Sequence, residues 1–148
     1  MSLQDELLQI ALSLKNECDY FSSGWNITFL QAFIRDGGYC VYCGRDVMNE
    51  FCVASGDHVL PRRLYPAMED EVENLVPACA HCNRMKSNYD PSDGNGMHVV
   101  LNEELRRQFI DRSKNHIQMK KANYERDFQT GKVPFSQAIE RYHRLAQS

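Results

Sequence analysis

The sequence of 148 residues lacks a long apolar run and an obvious leader. No stretch reaches the roughly 18 consecutive apolar residues of a membrane-spanning helix, so none is expected. The first ten residues, MSLQDELLQI, have neither the basic start nor the apolar core of a signal peptide, which favours a cytoplasmic protein. With 43% hydrophobic and 25% charged residues, the composition is that of a folded chain and not of a disordered one.

An excess of positive charge is also missing, because 17 basic residues stand against 20 acidic ones. A partner made of nucleic acid usually demands a basic footprint, so the total charge counts mildly against one. The distribution is uneven: residues 1–39 hold two basic and five acidic groups, residues 40–90 five and eight, and residues 91–148 ten and seven. The C-terminal part is therefore either a solvated helix face of mixed charge or an arm that contacts a phosphate backbone.

The N-terminal part has helical periodicity, which the centre of the chain loses. Leucine and isoleucine recur at helical spacing over residues 3–14, and a second short helix is expected over 28–35, before Gly37-Gly38. Residues 39–83 are short apolar pieces broken by glycine, proline and charge, which favours small strands and loops. Residues 87–96 form a loop by composition.

Two further helices are predicted in the C-terminal part. Asn102 can cap a long helix that runs to about Phe128, and Gly131 is expected to end it. A last helix should then carry the apolar residues between Phe135 and Leu145.

Six cysteines stand in this chain, and in a reducing compartment paired cysteines more often bind metal than form disulfides. Four of them form two C-x-x-C pairs, Cys40 with Cys43 and Cys79 with Cys82. Two intervening residues let both sulfurs of a pair reach one tetrahedral zinc ion. We therefore predict a structural zinc site, with Gly44 in the tight turn after the first pair. Four thiols without metal are the less favoured alternative, and Cys18 and Cys52 are expected to be apolar fillers.

Residues suited to a hydrolytic metal site lie between and beside the two pairs. Asp57 and His58 are adjacent, and Asn83 follows the second pair directly. A neutral imidazole can take a proton from water, and carboxylate and amide oxygens are ligands that suit Mg²⁺. Together they supply what phosphodiester hydrolysis requires, an activated water and a divalent cation.

These pieces, in this order, resemble the HNH endonuclease family. Cys-x-x-Cys is followed by Asp-His-x-x-Pro and by Asn-Leu-x-Pro-x-Cys-x-x-Cys-Asn-x-x-Lys, over about residues 40–86. The resemblance implies an α+β fold, in which a small zinc-stapled ββα-metal core is flanked by N- and C-terminal α-helices. We expect a single nuclease domain over 1–148, with helices in 1–38, the core in 39–90, and a loop and C-terminal helices in 91–148.

The resemblance also implies a role for each signature residue. His58 matches the general base that activates water, and Asp57 and Asn83 match ligands of a catalytic Mg²⁺ or Mn²⁺. Asn74 matches the asparagine that ties the loop together and orients the histidine. Residues 62–68 lack the Gly-Gly pair that many members carry after Asp-His-x-x-Pro, so this loop departs from the family pattern. Arg84 and Lys86, on the short helix, are expected near phosphate, and Arg62 and Arg63 are either phosphate contacts or plain surface residues.

The sequence thus predicts a metal-dependent endonuclease that hydrolyses phosphodiester bonds in DNA, taken as double-stranded. The alternative is a zinc-stapled module that binds nucleic acid or protein without cutting. The joint presence of Asp57, His58 and Asn83 favours the enzyme, because a binding module has no chemical need for this set. Cutting both strands with one site per chain would favour a homodimer or two successive nicks. RNA as substrate and the specificity of cleavage stay open.

Overall fold

A computed structural model of the protein describes residues 1–50 and 54–148, so Cys52 lies outside the described residues. Within them the chain forms five α-helices and one two-stranded sheet. In chain order these are α1 (Leu3–Glu17), α2 (Asp19–Gly24), α3 (Ile27–Arg35), β1 (Ala54–His58), β2 (Leu75–Cys79), α4 (Ala80–Lys86) and α5 (Glu103–Gln147). Short 3-10 turns cover Pro66–Met68, Val72–Asn74 and Gly96–His98.

The N-terminal helices begin at residues whose side chains satisfy free backbone N–H groups. Ser2 Oγ accepts from the backbone N–H of Asp5, and the Asp5 carboxylate accepts from the backbone N–H of Ser2, which is a capping box. Asn26 Oδ1 accepts from the N–H of Thr28 at the start of α3. The two helices predicted here are confirmed, and α2 between them was not predicted.

The sheet and α4 form one continuous ββα unit. β1 and β2 pair antiparallel, with Asp57 opposite Val76 and His58 opposite Leu75. Cys79 ends β2 and caps α4, because its Sγ accepts from the N–H of Cys82. The expected α+β class, with helices flanking a small sheet, is confirmed.

The hydrophobic core lies between this unit and the first turns of α5. Val59, Leu60 and Val76 are fully buried on the sheet side, and Phe109 and Ile117 bring α5 onto them. The residues that carry Asp57 and His58 are therefore backed by packed apolar side chains, which limits their movement.

The helix α5 is continuous, so the prediction that Gly131 ends it is wrong. Its start is as predicted, since Asn102 Oδ1 accepts from the N–H of Leu105. Relative to alanine, glycine costs about 1 kcal/mol and proline about 3 kcal/mol inside a helix, and α5 continues through Gly131 and Pro134 despite both costs. Despite its 45 residues α5 is largely polar, and no helix in the described ranges is both long and apolar enough to cross a membrane.

Candidate active site and zinc centre

The four paired cysteines meet at the edge of the sheet. The first pair lies in a tight turn, where the N–H of Gly44 donates to the carbonyl of Cys40 over 2.8 Å and Gly44 has a φ of +78°. A positive φ favours glycine, so the predicted role of Gly44 is confirmed. The second pair spans the junction of β2 and α4, where Cys79 and Cys82 occupy the helix cap and first turn.

The positions of the sulfur atoms fit a tetrahedral zinc ion. All four Sγ atoms lie within 4.8 Å of one another, and those of Cys43 and Cys79 are 3.8 Å apart. With Zn–S bonds of about 2.3 Å, the edge of such a tetrahedron is about 3.8 Å. A hydrogen bond with the Cys82 thiol lowers the pKa of the Cys40 thiol to about 4, so a thiolate is available there. The cluster is compatible with the predicted structural zinc.

A lysine from α5 reaches this cluster, which the sequence did not reveal. Lys121 Nζ lies 3.6 Å from Cys82 Sγ. A zinc ion with four thiolates carries a net charge of about −2, so a nearby ammonium is electrostatically favourable. Because 39 residues separate the two in sequence, only the packing of α5 on α4 could show the contact.

The three residues predicted to carry hydrolysis line one cleft. Asp57 and His58 come from the end of β1, and Asn83 comes from α4, which β2 holds beside β1. The cleft has a volume of about 410 Å³. Its lining consists of Gly56, Asp57, His58, Pro61, Arg62, Arg63, Asn83, Ser87 and Asn88. The expected grouping of carboxylate, imidazole and amide is therefore present in three dimensions.

The His58 ring is held by a backbone carbonyl. Its Nε2 lies 3.0 Å from the carbonyl oxygen of Glu69. A carbonyl can only accept, so Nε2 must carry the proton, and in the neutral ring Nδ1 then has an unprotonated lone pair. The fold thus fixes the tautomer that leaves Nδ1 able to take a proton.

The Asp57 carboxylate is anchored by two buried groups behind the cleft. Its Oδ2 accepts from the phenol of Tyr42 and lies 3.2 Å from Lys86 Nζ. Burial raises the pKa of Asp57, and the charge of Lys86 opposes that rise. Burial and the charge of Asp57 raise the pKa of Tyr42 well above its ordinary value, so its phenol stays a donor. With Oδ2 engaged, Oδ1 is the oxygen left for a cation.

Asn83 is oriented by the strand beside it. Its Nδ2 donates to Ser55 Oγ over 3.2 Å and to the carbonyl of Gly56 over 3.4 Å. The amide oxygen takes part in neither of these contacts, and such an oxygen is a ligand that suits a hard cation. The strand approaches α3 closely as well, because a Cβ on Gly56 would lie 2.9 Å from the ring of Phe29.

Asn74 ties the connecting loop together, but it does not orient His58 with its side chain. It is fully buried, its Oδ1 accepts from the N–H of Leu60 over 2.7 Å, and its Nδ2 donates to the carbonyls of Leu60 and Met68. The role of orienting the ring falls to the Glu69 carbonyl in the same loop. Asn74 therefore acts one step away, by fixing the loop that carries that carbonyl.

The four basic residues predicted to contact nucleic acid occupy different environments. Arg62 and Arg63 are exposed on the rim of the cleft, and Arg84 is exposed on α4 but does not line it. Lys86 is only 1% exposed, and its Nζ donates to the carbonyl of His58 over 2.8 Å. The position of Lys86 does not support the predicted phosphate contact, because burial beside Asp57 removes it from the surface.

The sequence did not reveal three features around Asp57 and His58: the Tyr42 phenol, the Glu69 carbonyl and the burial of Lys86 against Asp57. Tyr42 lies inside the first C-x-x-C pair, so its position gave a signal that could have been noticed. A backbone carbonyl leaves no trace in a sequence, since every residue has one.

Fold and site together define a class: a ββα unit whose ends are joined by a cysteine cluster and whose cleft holds Asp, His and Asn. Comparison with known families agrees, because residues 40–89 match the sequence model described as HNH endonuclease. This segment of the chain belongs to the HNH endonuclease family, as its motifs predict.

Part of the chain is similar in sequence to two known proteins. It is 31% identical over 80 residues to the Septu protein PtuB of Bacillus thuringiensis, an alignment that covers 54% of this chain and 28% of that protein. It is 38% identical over 69 residues to the CRISPR-associated endonuclease Cas9 of Actinomyces naeslundii, covering 47% of this chain and 6% of that protein. The chain thus corresponds to a minor part of either relative.

Proposed function

We propose that the protein is a metal-dependent endonuclease that hydrolyses phosphodiester bonds in double-stranded DNA. The observation that carries this proposal is the single cleft that joins His58, Asp57 and Asn83 beneath two exposed arginines. Membership of residues 40–89 in the HNH endonuclease family supports it, and so does the word endonuclease in the name of one relative. A cytoplasmic location stays a prediction from the sequence.

His58 acts as the general base. Its Nδ1 takes a proton from water while Nε2–H keeps its hydrogen bond to the Glu69 carbonyl, so the ring does not have to rotate as it becomes charged. The water oxygen then attacks phosphorus as the bond from phosphorus to the 3′-oxygen breaks. The products carry a 5′-phosphate and, once the leaving oxygen is protonated, a 3′-hydroxyl.

Asp57 and Asn83 are the residues that would hold the catalytic cation. The carboxylate oxygen of Asp57 and the amide oxygen of Asn83 are hard ligands. Mg²⁺ typically takes one or two protein ligands and keeps several waters. When bound there, Mg²⁺ or Mn²⁺ would supply positive charge to the scissile phosphate and the leaving oxygen. Lys86 and Tyr42 hold the far oxygen of Asp57, so the near oxygen has a fixed direction before any cation binds.

Arg62 and Arg63 are proposed to bind the phosphates that flank the cleaved bond. Both line the cleft, and Arg62 lies 3.3 Å from Glu69 in an exposed ion pair that a phosphate could replace. Such contacts depend on salt, because neutralised phosphates release counterions. One cleft per chain cuts one strand at a time, so cleavage of both strands would come from a homodimer or from two successive nicks.

Nicking of supercoiled plasmid in the presence of Mg²⁺ or Mn²⁺ tests the proposal. His58→Ala should lower the rate by roughly 10²–10⁴-fold, the range that general-base catalysis contributes. His98→Ala is the matched control, because His98 is exposed in the 3-10 turn Gly96–His98 and does not line the cleft. DNA binding by His58→Ala, measured by filter retention, should persist.

Two results would overturn this function. If the parent protein cuts no plasmid with either cation, yet retains it on a filter, the protein is a binding module and not a nuclease. If His58→Ala cuts as fast as the parent, the base is elsewhere.

A further inference from the structure

The outer end of α5 has no partner within the described chain. From residue 122 to 148, here called the outer arm, every residue is exposed. At the helical rise of about 1.5 Å per residue, the outer arm extends about 40 Å. Its aromatic residues, Tyr124, Phe128, Phe135 and Tyr142, expose between 57% and 67% of their surface. Large apolar side chains that are exposed together in this way are normally covered by another surface.

The outer arm is also poorly suited to being a helix in isolation. It contains Gly131 and Pro134, the two residue types with the lowest helix propensity, within a few residues of each other. Among the residues that the structure describes, no backbone or packing requirement explains Gly131: its φ is not in the left-handed region, and a Cβ there would meet open space. The glycine is understandable if another molecule lies against it.

Most of the large exposed apolar residues of the outer arm follow a coiled-coil spacing, whereas Val133 and Ile139 lie off it. Starting at Tyr124, steps of four and three residues alternate to Leu145. The positions are Tyr124, Phe128, Gly131, Phe135, Ala138, Tyr142 and Leu145. A repeat of this kind defines a narrow seam that packs against one other helix. The seam alternates large and small residues through its middle.

We propose that the outer arm pairs antiparallel with the outer arm of a second copy of this chain, about a two-fold axis at residue 133. In an antiparallel pair, residues whose numbers add to the same total face each other. With the axis at 133, Phe128 faces Ala138 of the second copy, and Phe135 faces its Gly131. Large and small side chains interdigitate, which is how helical layers fill space. Tyr124 and Tyr142 complete the layers.

A parallel pair fits less well. Its layers would place Phe135 against Phe135 and Gly131 against Gly131, so overcrowded layers would alternate with empty ones. Charge agrees with the antiparallel arrangement, because Asp127 and Arg141 flank the seam on the same side. In that arrangement each Asp127 lies near Arg141 of the second copy, and the pair occurs twice.

The area available reaches the lower bound for a specific interface. Aromatic side chains can bury about 150–250 Å² each, so four of them, nearly two-thirds exposed, supply on the order of 500 Å² per arm. Two arms supply about 1,000 Å², the lower bound for a specific interface, before the other seam residues are included. Because α5 also packs on the zinc-bearing core through Phe109 and Ile117, the pair would join two complete sites.

The mass of the protein in solution tests the proposal independently of nuclease activity. Sedimentation equilibrium at about 100 µM, well above the micromolar dissociation constants of modest interfaces, should give twice the 17.1 kDa of one chain. Phe135→Glu, in the seam, should halve the mass. Val133→Glu is the matched control, because Val133 is 63% exposed on the same helix but lies off the seam, and it should leave the dimer intact.

The outcomes are decisive in either direction. A parent protein that stays at 17.1 kDa overturns the proposal and leaves the outer arm for a different protein. A Phe135→Glu variant that still dimerises places the interface on another surface. Circular dichroism and zinc content show whether each variant has kept its folded core.

Disulfide trapping tests the direction of the pair. When Phe128→Cys and Ala138→Cys chains are mixed, the 128–138 disulfide between copies should form and be found by peptide mapping. The Ala138→Cys chain alone should not link to itself, since its two cysteines are ten residues apart along an antiparallel pair, or about 15 Å. Ready self-linking at 138 would show a parallel pair and overturn the register.

Discussion

The core around the cysteine cluster and the outer arm differ in which groups they bury and which they expose. In the core, polar groups are buried and every one that shapes the site is bound: Asn74 by three backbone groups, and Lys86 by Asp57 and a carbonyl. In the outer arm, large apolar groups are exposed and none of the described residues covers them. The side chains of the core are therefore packed within one copy of the chain, whereas the apolar side chains of the outer arm are proposed to pack against a second copy.

The contrast is visible within α5 alone. Arg106, Phe109, Ser113 and Ile117 form its buried face, and Arg106 pairs with Glu73 beneath the loop that holds His58. The face continues at coiled-coil spacing into Tyr124 and beyond, but the core has ended. The first part of α5 thus packs on the core, and its second part extends beyond the core into solvent.

The largest effect should come from the zinc ligands. Cys82→Ser should abolish cooperative unfolding of the core, because structural zinc contributes an apparent 10–16 kcal/mol, as much as the whole stability of a typical domain. Cys18→Ser is the control, since Cys18 lies outside the cluster. Thermal unfolding and zinc content per chain are the measurements. A Cys82→Ser protein with one zinc and an unchanged melting curve would show that the cluster is not a structural centre.

The buried ion pair should rank second. Lys86→Met should lower the free energy of unfolding by about 3–5 kcal/mol, because it leaves the Asp57 carboxylate buried beside a group that cannot neutralise it. Adding Asp57→Asn should recover part of the loss by removing the charge. Lys132→Met, in the outer arm, should change almost nothing. Denaturant unfolding measures the free energy of unfolding of all three variants. Equal losses from Lys86→Met and Lys132→Met would contradict the difference between the core and the outer arm.

The sequence predicted the parts of this molecule that depend on residue identity at fixed spacing. The cysteine pairs, the Asp57–His58–Asn83 grouping and the cap at Asn102 needed only local geometry. It failed where the cause was distant or without a side-chain signature, as with the Glu69 carbonyl on His58 and Lys121 beside Cys82. It also failed at Gly131, because a glycine that ends one helix and a glycine that admits a partner look alike.

Two apolar residues on α5 offer a matched third test. Ile117 is 2% exposed and packs in the core, so Ile117→Ala should cost about 2–4 kcal/mol of unfolding free energy. Phe128 is 59% exposed, so Phe128→Ala should leave core unfolding unchanged at concentrations where the protein is monomeric. Denaturant unfolding of dilute protein separates the two. A comparable loss at both positions would mean that the outer arm folds back onto the core.

The smallest effect, and the sharpest, is expected at Gly131. In the monomer Gly131→Ala should raise the helix content of the outer arm, because alanine is favoured over glycine by about 1 kcal/mol and its methyl group meets open space. In the pair the same methyl group lies in the layer that receives Phe135, where overpacking costs about 1–3 kcal/mol. Helicity of dilute protein should therefore rise while association weakens. If one methyl group raises the helicity of the monomer and also weakens association, a second molecule must lie against position 131. If association instead strengthened together with helicity, position 131 would not lie in the interface.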